Sequence, residues 1–179
     1  MDGFSCFVWT LFLKSKSEVS FILQKLFTNI ESQSHEKITN IRSENRSELK
    51  NKRLHNLFQQ KDMTHLTTAP YTPQKNPFTT RGNRTTVTKA ICLLKDSNLS
   101  RSYWAEVVIT ATYLENITPK DSLDYSTPFE KWFERTPWYH HLQPFGCLCY
   151  YLNNLTRGKF TDSGSEGIFL GYKEGHQAY

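Results

Sequence analysis

Not one aspartate or glutamate stands between Asp62 and Asp96. Hard divalent cations need anionic oxygen ligands, so that part of the chain cannot furnish a carboxylate to a metal centre. Thiols are few and badly spaced for metal. Cys6, Cys92, Cys147 and Cys149 form no C-x-x-C pair, which excludes a zinc pattern and favours free thiols in a reducing compartment. The six histidines, His35, His55, His65, His140, His141 and His176, show no ligand spacing. No long hydrophobic run occurs. The apolar stretch over residues 4–13 is far too short to span a bilayer, and it lacks the basic start and small-residue cleavage site of a signal peptide. Internal repeats and low-complexity segments are absent as well. The chain therefore reads as intracellular and soluble, with no membrane partner.

What is present suits a folded domain. The chain has 179 residues, enough for one domain or one domain with a small appendage. It is 37% hydrophobic with 12 Phe, 9 Tyr and 4 Trp, which supplies a real core and excludes a disordered composition. The net charge of +5 and a pI near 9.0 point towards nucleic acid or another polyanion, although many soluble proteins are as basic without such a partner.

The apolar spacing predicts an alternation of elements. Phe7-Val-Trp-Thr-Leu-Phe-Leu13 is aromatic and β-branched and reads as a buried strand. Ser17 is a candidate N-cap for a helix carrying Val19, Ile22, Leu23, Leu26, Phe27 and Ile30 and stopping over residues 32–35. Residues 38–42 read as a short strand, residues 48–61 as a helix with Lys50, Lys52, Arg53 and Lys61 on a basic, solvated face, and residues 63–66 as a third strand. Strand, helix, strand, helix, strand is the order of βαβ units and a mostly parallel sheet. Two paired helices follow, one marked by Val87, Ala90, Ile91 and Leu94, the other by Trp104, Val107, Val108, Ala111 and Leu114. Between them Ser100 or Ser102 is a cap. Thr127 as N-cap and Pro128 at the first helical position start a short helix. Residues 146–152 and 167–172 are two β-like runs.

One loop organises these elements. Pro70 and Pro73 stiffen the chain ahead of a helix whose start carries Asn76, Arg81, Asn83 and Arg84. A loop that becomes a helix is a common place to handle phosphates. Together with the segments Ser43-Glu-Asn-Arg-Ser-Glu48, Pro70-Tyr-Thr-Pro-Gln-Lys-Asn76, Arg81-Gly-Asn-Arg-Thr85, Thr127-Pro-Phe-Glu-Lys-Trp-Phe133, His141-Leu-Gln-Pro-Phe-Gly-Cys147 and Gly167-Ile-Phe-Leu-Gly-Tyr172, it closely resembles the integrase region of copia-type LTR retrotransposon Pol polyproteins. The resemblance runs from Asp2 to Tyr179. It implies a ribonuclease-H-like α/β core over residues 1–135, lacking its first strand and carrying a helical extension, and a small β-rich SH3-like module over residues 136–179.

The resemblance also implies an activity and shows where this chain departs from it. The family uses three carboxylates to hold Mg²⁺ for phosphoryl transfer on DNA. The first Asp of that triad falls upstream of Asp2, and Asp2 matches a different residue of the pattern. Glu44 stands at the second acid, one methylene longer than Asp, with Arg46 and Ser47 in place of two glycines. Thr80 stands at the third acid and offers only a neutral hydroxyl. Glu44 is thus at most a lone metal ligand, and no cofactor is expected beyond the Mg²⁺ of the ancestral site. The family's His-His-Cys-Cys zinc module is not found here. Trp9, Trp104 and Trp132 are expected in the core.

The expected function is that of a degenerate, catalytically inactive integrase fragment, a pseudoenzyme. DNA is its expected partner through Asn76, Arg81, Asn83 and Arg84, in the nucleus by resemblance, and a homo-oligomer is left open. Arg81 and Arg84 can equally pair with acids on neighbouring helices. A co-opted DNA- or protein-binding module and an incomplete gene model of a transposon polyprotein are the alternatives. A core without its first strand is expected to expose apolar surface around residues 7–13 and to aggregate unless a partner covers it.

Overall fold

The computed structural model describes residues 1–43, 52–67, 77–152 and 164–172, with only the backbone described at 77–80. The chain divides into two units, Leu11–Gly82 and the combination of Met1–Thr10 with Asn83–Tyr179.

In Leu11–Gly82, a 3₁₀ turn leads into helix α1, Val19–Ser34. Ser17 does not cap it. The Ser17 hydroxyl bonds Ser15 Oγ at 2.6 Å, and the Glu18 carboxylate instead reaches back to the Lys14 amide at 3.2 Å. His35, in the left-handed conformation with φ 56°, ends the helix inside the expected window. Strand β1 (Asn40–Ser43), helix α2 (Lys52–Gln60) and strand β2 (Thr64–Thr67) then form the expected βαβ unit. Its strands are parallel, with Asn40 opposite Thr64 and Ser43 opposite Thr67. Ile38 lies before β1 rather than in it, and it packs on the core.

That core joins Val19 and Phe27 of α1 to Leu54, Leu57 and Phe58 of α2 and to Met63. Leu54, Leu57 and Phe58 share one helix face, and Leu54 is fully inaccessible. Burying each such side chain contributes about 1.5–3 kcal/mol. Lys61, at the end of α2, forms an ion pair with Glu31 of α1, which holds the Glu31 carboxyl below its ordinary value. Lys52 and Arg53 are exposed.

The second unit is built on a helical hairpin. Helix α3 (Pro77–Asp96) and helix α4 (Trp104–Ile117) are joined through Asn98, whose φ of 56° breaks the first helix, and through Ser100, which accepts from the Ser102 amide. Ala90, Leu93, Leu94, Val107, Val108 and Ala111 meet between them with Phe145. Of the expected α3 face, Ala90 and Leu94 pack in the core as read, but Val87 and Ile91 are exposed and Thr86 is buried instead. Trp104 is likewise 58% exposed at the first residue of α4 instead of lying in the core. Helix α5, Pro128–Phe133, starts as expected, with a capping box between Thr127 and Glu130.

The expected strand over residues 7–13 is not a strand among the described residues. Its first half is held by side chains. The Val8 amide donates to Asn116 Oδ1 at 2.8 Å, and Asn116 Nδ2 donates to the Val8 carbonyl at 2.9 Å. One turn earlier on α4, Thr112 Oγ1 lies 2.6 Å from Thr10 Oγ1. Four helical residues rise about 6 Å and two extended residues about 6.6 Å, so a pair spaced i, i+4 on a helix can serve an extended pair spaced i, i+2. The same extended geometry puts Phe7 and Trp9 on one side. There Phe7 stacks with Trp132 and meets Phe133 edge-on, and Trp9 meets Trp132 at 4.9 Å. In the other unit, Leu11, Phe12 and Leu13 are exposed.

Helix α4 buries a second polar device. The Glu115 carboxylate accepts from Lys89 of α3 and, at 2.9 Å, from Lys120. Burial pushes this carboxyl up, but the hydrogen bonds and charges of the two lysines outweigh burial and hold it below the ordinary carboxylate value.

The last elements are strands β3 (Leu148–Leu152) and β4 (Gly164–Ile168), an antiparallel ribbon with Leu148 opposite Ile168 and Leu152 opposite Gly164. The second strand lies earlier than the expected 167–172, because from Phe169 onward the chain packs onto the hairpin. Phe169 is buried and Leu170 joins the core. Two glycines allow this close approach. A Cβ on Gly171 (φ 126°) would lie 2.2 Å from Thr110 Oγ1, and one on Gly146 (φ 81°) would lie 2.3 Å from Ser97 Cβ.

Two outcomes follow. Asn116→Leu removes two hydrogen bonds and leaves the Val8 backbone groups without them, so it should lower unfolding free energy by about 2–4 kcal/mol; urea denaturation measures this. Glu115 has a folded pKa below its unfolded one, so its stabilisation is present above the ordinary carboxylate value and is lost as pH falls through the folded value. Glu115→Gln should therefore destabilise at pH 7 and flatten the acid side of the stability curve, as read from urea midpoints across pH.

Candidate nucleic-acid interface

Helix α3 begins at Pro77, a residue suited to the first helical position because its missing N–H has no helical partner to lose. Thr80 is helical and lies one turn before Arg84. Arg81, Asn83 and Arg84 are exposed, and Arg81 and Arg84, three apart, lie on neighbouring positions of one helix face. Glu44 and Asn76 lie outside the described residues. The structure thus gathers Arg81, Asn83 and Arg84 within one turn of helix; it describes no geometry between them and Glu44.

The charge pattern of α3 is one-sided. Its first turn carries no acid, and its first acid is its last residue, Asp96. Lys89 pairs with Glu115 of α4, and Arg81, Arg84 and Lys95 are exposed to solvent.

Other candidates are engaged elsewhere. The Asp2 carboxylate accepts from the Phe4 amide at 3.0 Å, the Ser5 amide at 2.6 Å and Ser5 Oγ at 2.7 Å, closing the N-terminal turn. Ser43, next to Glu44, lies with its Oγ 2.7 Å from His65 Nε2. Burial, with a smaller contribution from His55, lowers the pKa of His65. Among the described residues, no group of three or more His, Cys, Asp and Glu side chains is arranged to hold a metal ion. No helix of the described residues is long and apolar enough to cross a membrane.

Sequence reasoning missed Thr112, Glu115 and Asn116. The signal was available. These polar residues stand, with Glu106 and Thr110, on a largely apolar helix, and Thr112 and Asn116 are four apart, the spacing of one face. It also missed the pairing of Tyr113 Oη with His141 Nε2 at 2.6 Å.

No protein-family profile matches the chain. The chain is 32% identical over 180 residues to the retrovirus-related Pol polyprotein from transposon RE1 of Arabidopsis thaliana, a match that covers 100% of this chain and 12% of that protein. The corresponding polyprotein from transposon TNT 1-94 of Nicotiana tabacum is 32% identical over 180 residues, covering 100% of this chain and 14% of its own length. The chain therefore spans only a small part of the curated relatives it matches. Among solved structures, the catalytic core domain of BIV integrase superposes with a TM-score of 0.54 at 18% identity, over 73% of this chain and 80% of that one. The simian T-cell lymphotropic virus intasome, solved in complex with PP2A regulatory subunit B56 gamma, gives a TM-score of 0.54 at 15% identity, over 87% of this chain and 54% of that one. At those identities the likeness shows the fold alone: the ribonuclease-H-like α/β fold of integrase catalytic cores.

Proposed function

We propose that this chain, which belongs to the retrovirus-related Pol polyproteins of transposons as an integrase-derived segment, retains DNA binding and has lost metal-dependent phosphoryl transfer. The observation that carries the first half is the second turn of α3, where Arg81, Asn83 and Arg84 stand exposed on a helix with no acid before Asp96. Exposed guanidinium groups suit phosphate oxygens, and such contacts position a protein on DNA without reading sequence. Asn76, just before the helix, completes the set by resemblance. Chromosomal DNA as ligand places the action in the nucleus.

The donor set does not fit the ancestral Mg²⁺. That ion needs converging anionic oxygens in a near-octahedral array. Thr80, at the position of the third acid, brings a neutral hydroxyl, and residues 81–95 of α3 include no carboxylate. Glu44 remains as the one acid of the proposed set, which is too little to bridge metal to phosphate. The reading keeps residues 1–135 as the core with its helical extension and residues 136–179 as the appended β-rich module.

Fluorescence anisotropy with a short DNA duplex across a salt series tests the binding. The plot of log K against log salt should fall with a clear negative slope. Arg81→Ala with Arg84→Ala should shallow that slope by about 1.8, the value for two phosphate contacts. A slope near zero for the native chain, or one unchanged in the double variant, would reject the reading.

A further inference from the structure

We infer that strand β3 is a self-association edge, pairing antiparallel with β3 of a second copy of this chain to give a four-stranded sheet, β4–β3–β3–β4. Among the described residues, the β3–β4 ribbon is a two-stranded sheet, so β3 is bonded to β4 on one side only. The root of the ribbon is fixed by Gly146, Phe169 and Gly171 against the helical hairpin, but its strands stand out from it. Leu148, Tyr150, Tyr151 and Leu152 are 59%, 68%, 57% and 69% exposed. On the neighbouring strand Ile168, opposite Leu148, is exposed too. Two strands alone are marginal in water, and three or more with an apolar face are the stable arrangement.

Strand β3 lacks the devices by which edge strands avoid pairing. It has no lysine, no proline, no glycine and no charged residue in Leu-Cys-Tyr-Tyr-Leu. Its sequence is also self-complementary. An isologous two-fold axis pairs residue i with j and j with i. Centred on Tyr150, it sets Tyr150 against Tyr150, Leu148 against Leu152, and Cys149 against Tyr151 of the other copy. Aromatic and aliphatic cross-strand pairs of this kind contribute about 0.2–1 kcal/mol each. They would put Leu148, Tyr150 and Leu152 of both copies on one face.

Charge decides between the two edges of the ribbon. A two-fold centred on β4 would place Glu166 directly opposite Glu166, and it would align Gly164 with Ile168 across the pair. Like charges directly opposite are destabilising. With β3 at the centre, Glu166 lies opposite Tyr150 within its own copy. The two Glu166 carboxylates are then separated by three strand spacings, about 14 Å, beyond the Debye length of about 8 Å at physiological salt. The second copy therefore docks on β3 and not on β4.

Sedimentation equilibrium of the full chain over a concentration series tests the inference. The native chain should show a monomer–dimer equilibrium. Tyr150→Lys, which sets two ammonium groups against each other, should raise the dimer dissociation constant at least about tenfold, and Tyr150→Glu should do the same. Mixing these two variants should restore a dimer, because the opposite charges then face each other across the axis. If Tyr150→Lys fails to fold, as judged by thermal melting, Leu152→Lys carries the same test through its Leu148 partner. A native chain that is monomeric up to its solubility limit would overturn the inference. So would a dimer indifferent to both lysine variants, or a mixture of Tyr150→Lys and Tyr150→Glu that stays monomeric.

Discussion

The carboxamide of Asn116 fixes an extended segment that joins no sheet among the described residues. An extended backbone in a protein interior must satisfy its N–H and C=O groups, and a neighbouring strand is the usual supplier. Here helix α4 supplies them instead, through Asn116 on Val8 and Thr112 on Thr10. Once Val8 is held, the alternation of an extended chain delivers Phe7 and Trp9 to Trp132 and Phe133. The aromatic packing that secures α5 thus depends on one side chain of α4. That duty explains the burial of Thr112 and Asn116; on the same helix Glu115 is buried against its two lysines and Thr110 against the Glu106 and Leu170 carbonyls.

The same helix holds α3 by an ion pair. Lys89 is drawn into the Glu115 site, where the carboxylate is shared with Lys120. Removing one partner of a buried pair leaves an uncompensated charge, so the arrangement resists change more than it adds stability. It also sorts the cations of α3. Lys89 pairs with Glu115, while Arg81, Arg84 and Lys95 are exposed to solvent, and the proposed DNA contacts draw on the two exposed arginines.

Much of this was legible in the sequence, and the residues that were not share a cause. The Thr127–Glu130 capping box, the α1 face and the βαβ unit were readable because each is set by neighbours within a few residues or by a simple period. Residues 7–13 misled because their composition asks for a strand, whereas Val8 finds its partner in a side chain more than a hundred positions away. Trp104, Val87 and Ile91 misled because spacing assigns a residue to a helix face but does not say which neighbour covers it. The end of the ribbon was misplaced because Gly171 reads as a strand glycine, while its positive φ and its contact with Thr110 take the chain off the sheet. The DNA-contact candidates were legible from resemblance, and the structure adds the exposure of Arg81, Asn83 and Arg84 on one helix.

We propose that an integrase-type fold has here lost phosphoryl transfer, because Thr80 stands where the resembled family has a carboxylate. The most direct test is a strand-joining assay with purified chain, a labelled donor DNA end and a target duplex, with Mg²⁺ or Mn²⁺, at protein concentrations that saturate DNA binding. The account predicts no joined product under either metal. A joined product that forms with the native chain and vanishes in Glu44→Ala would contradict it.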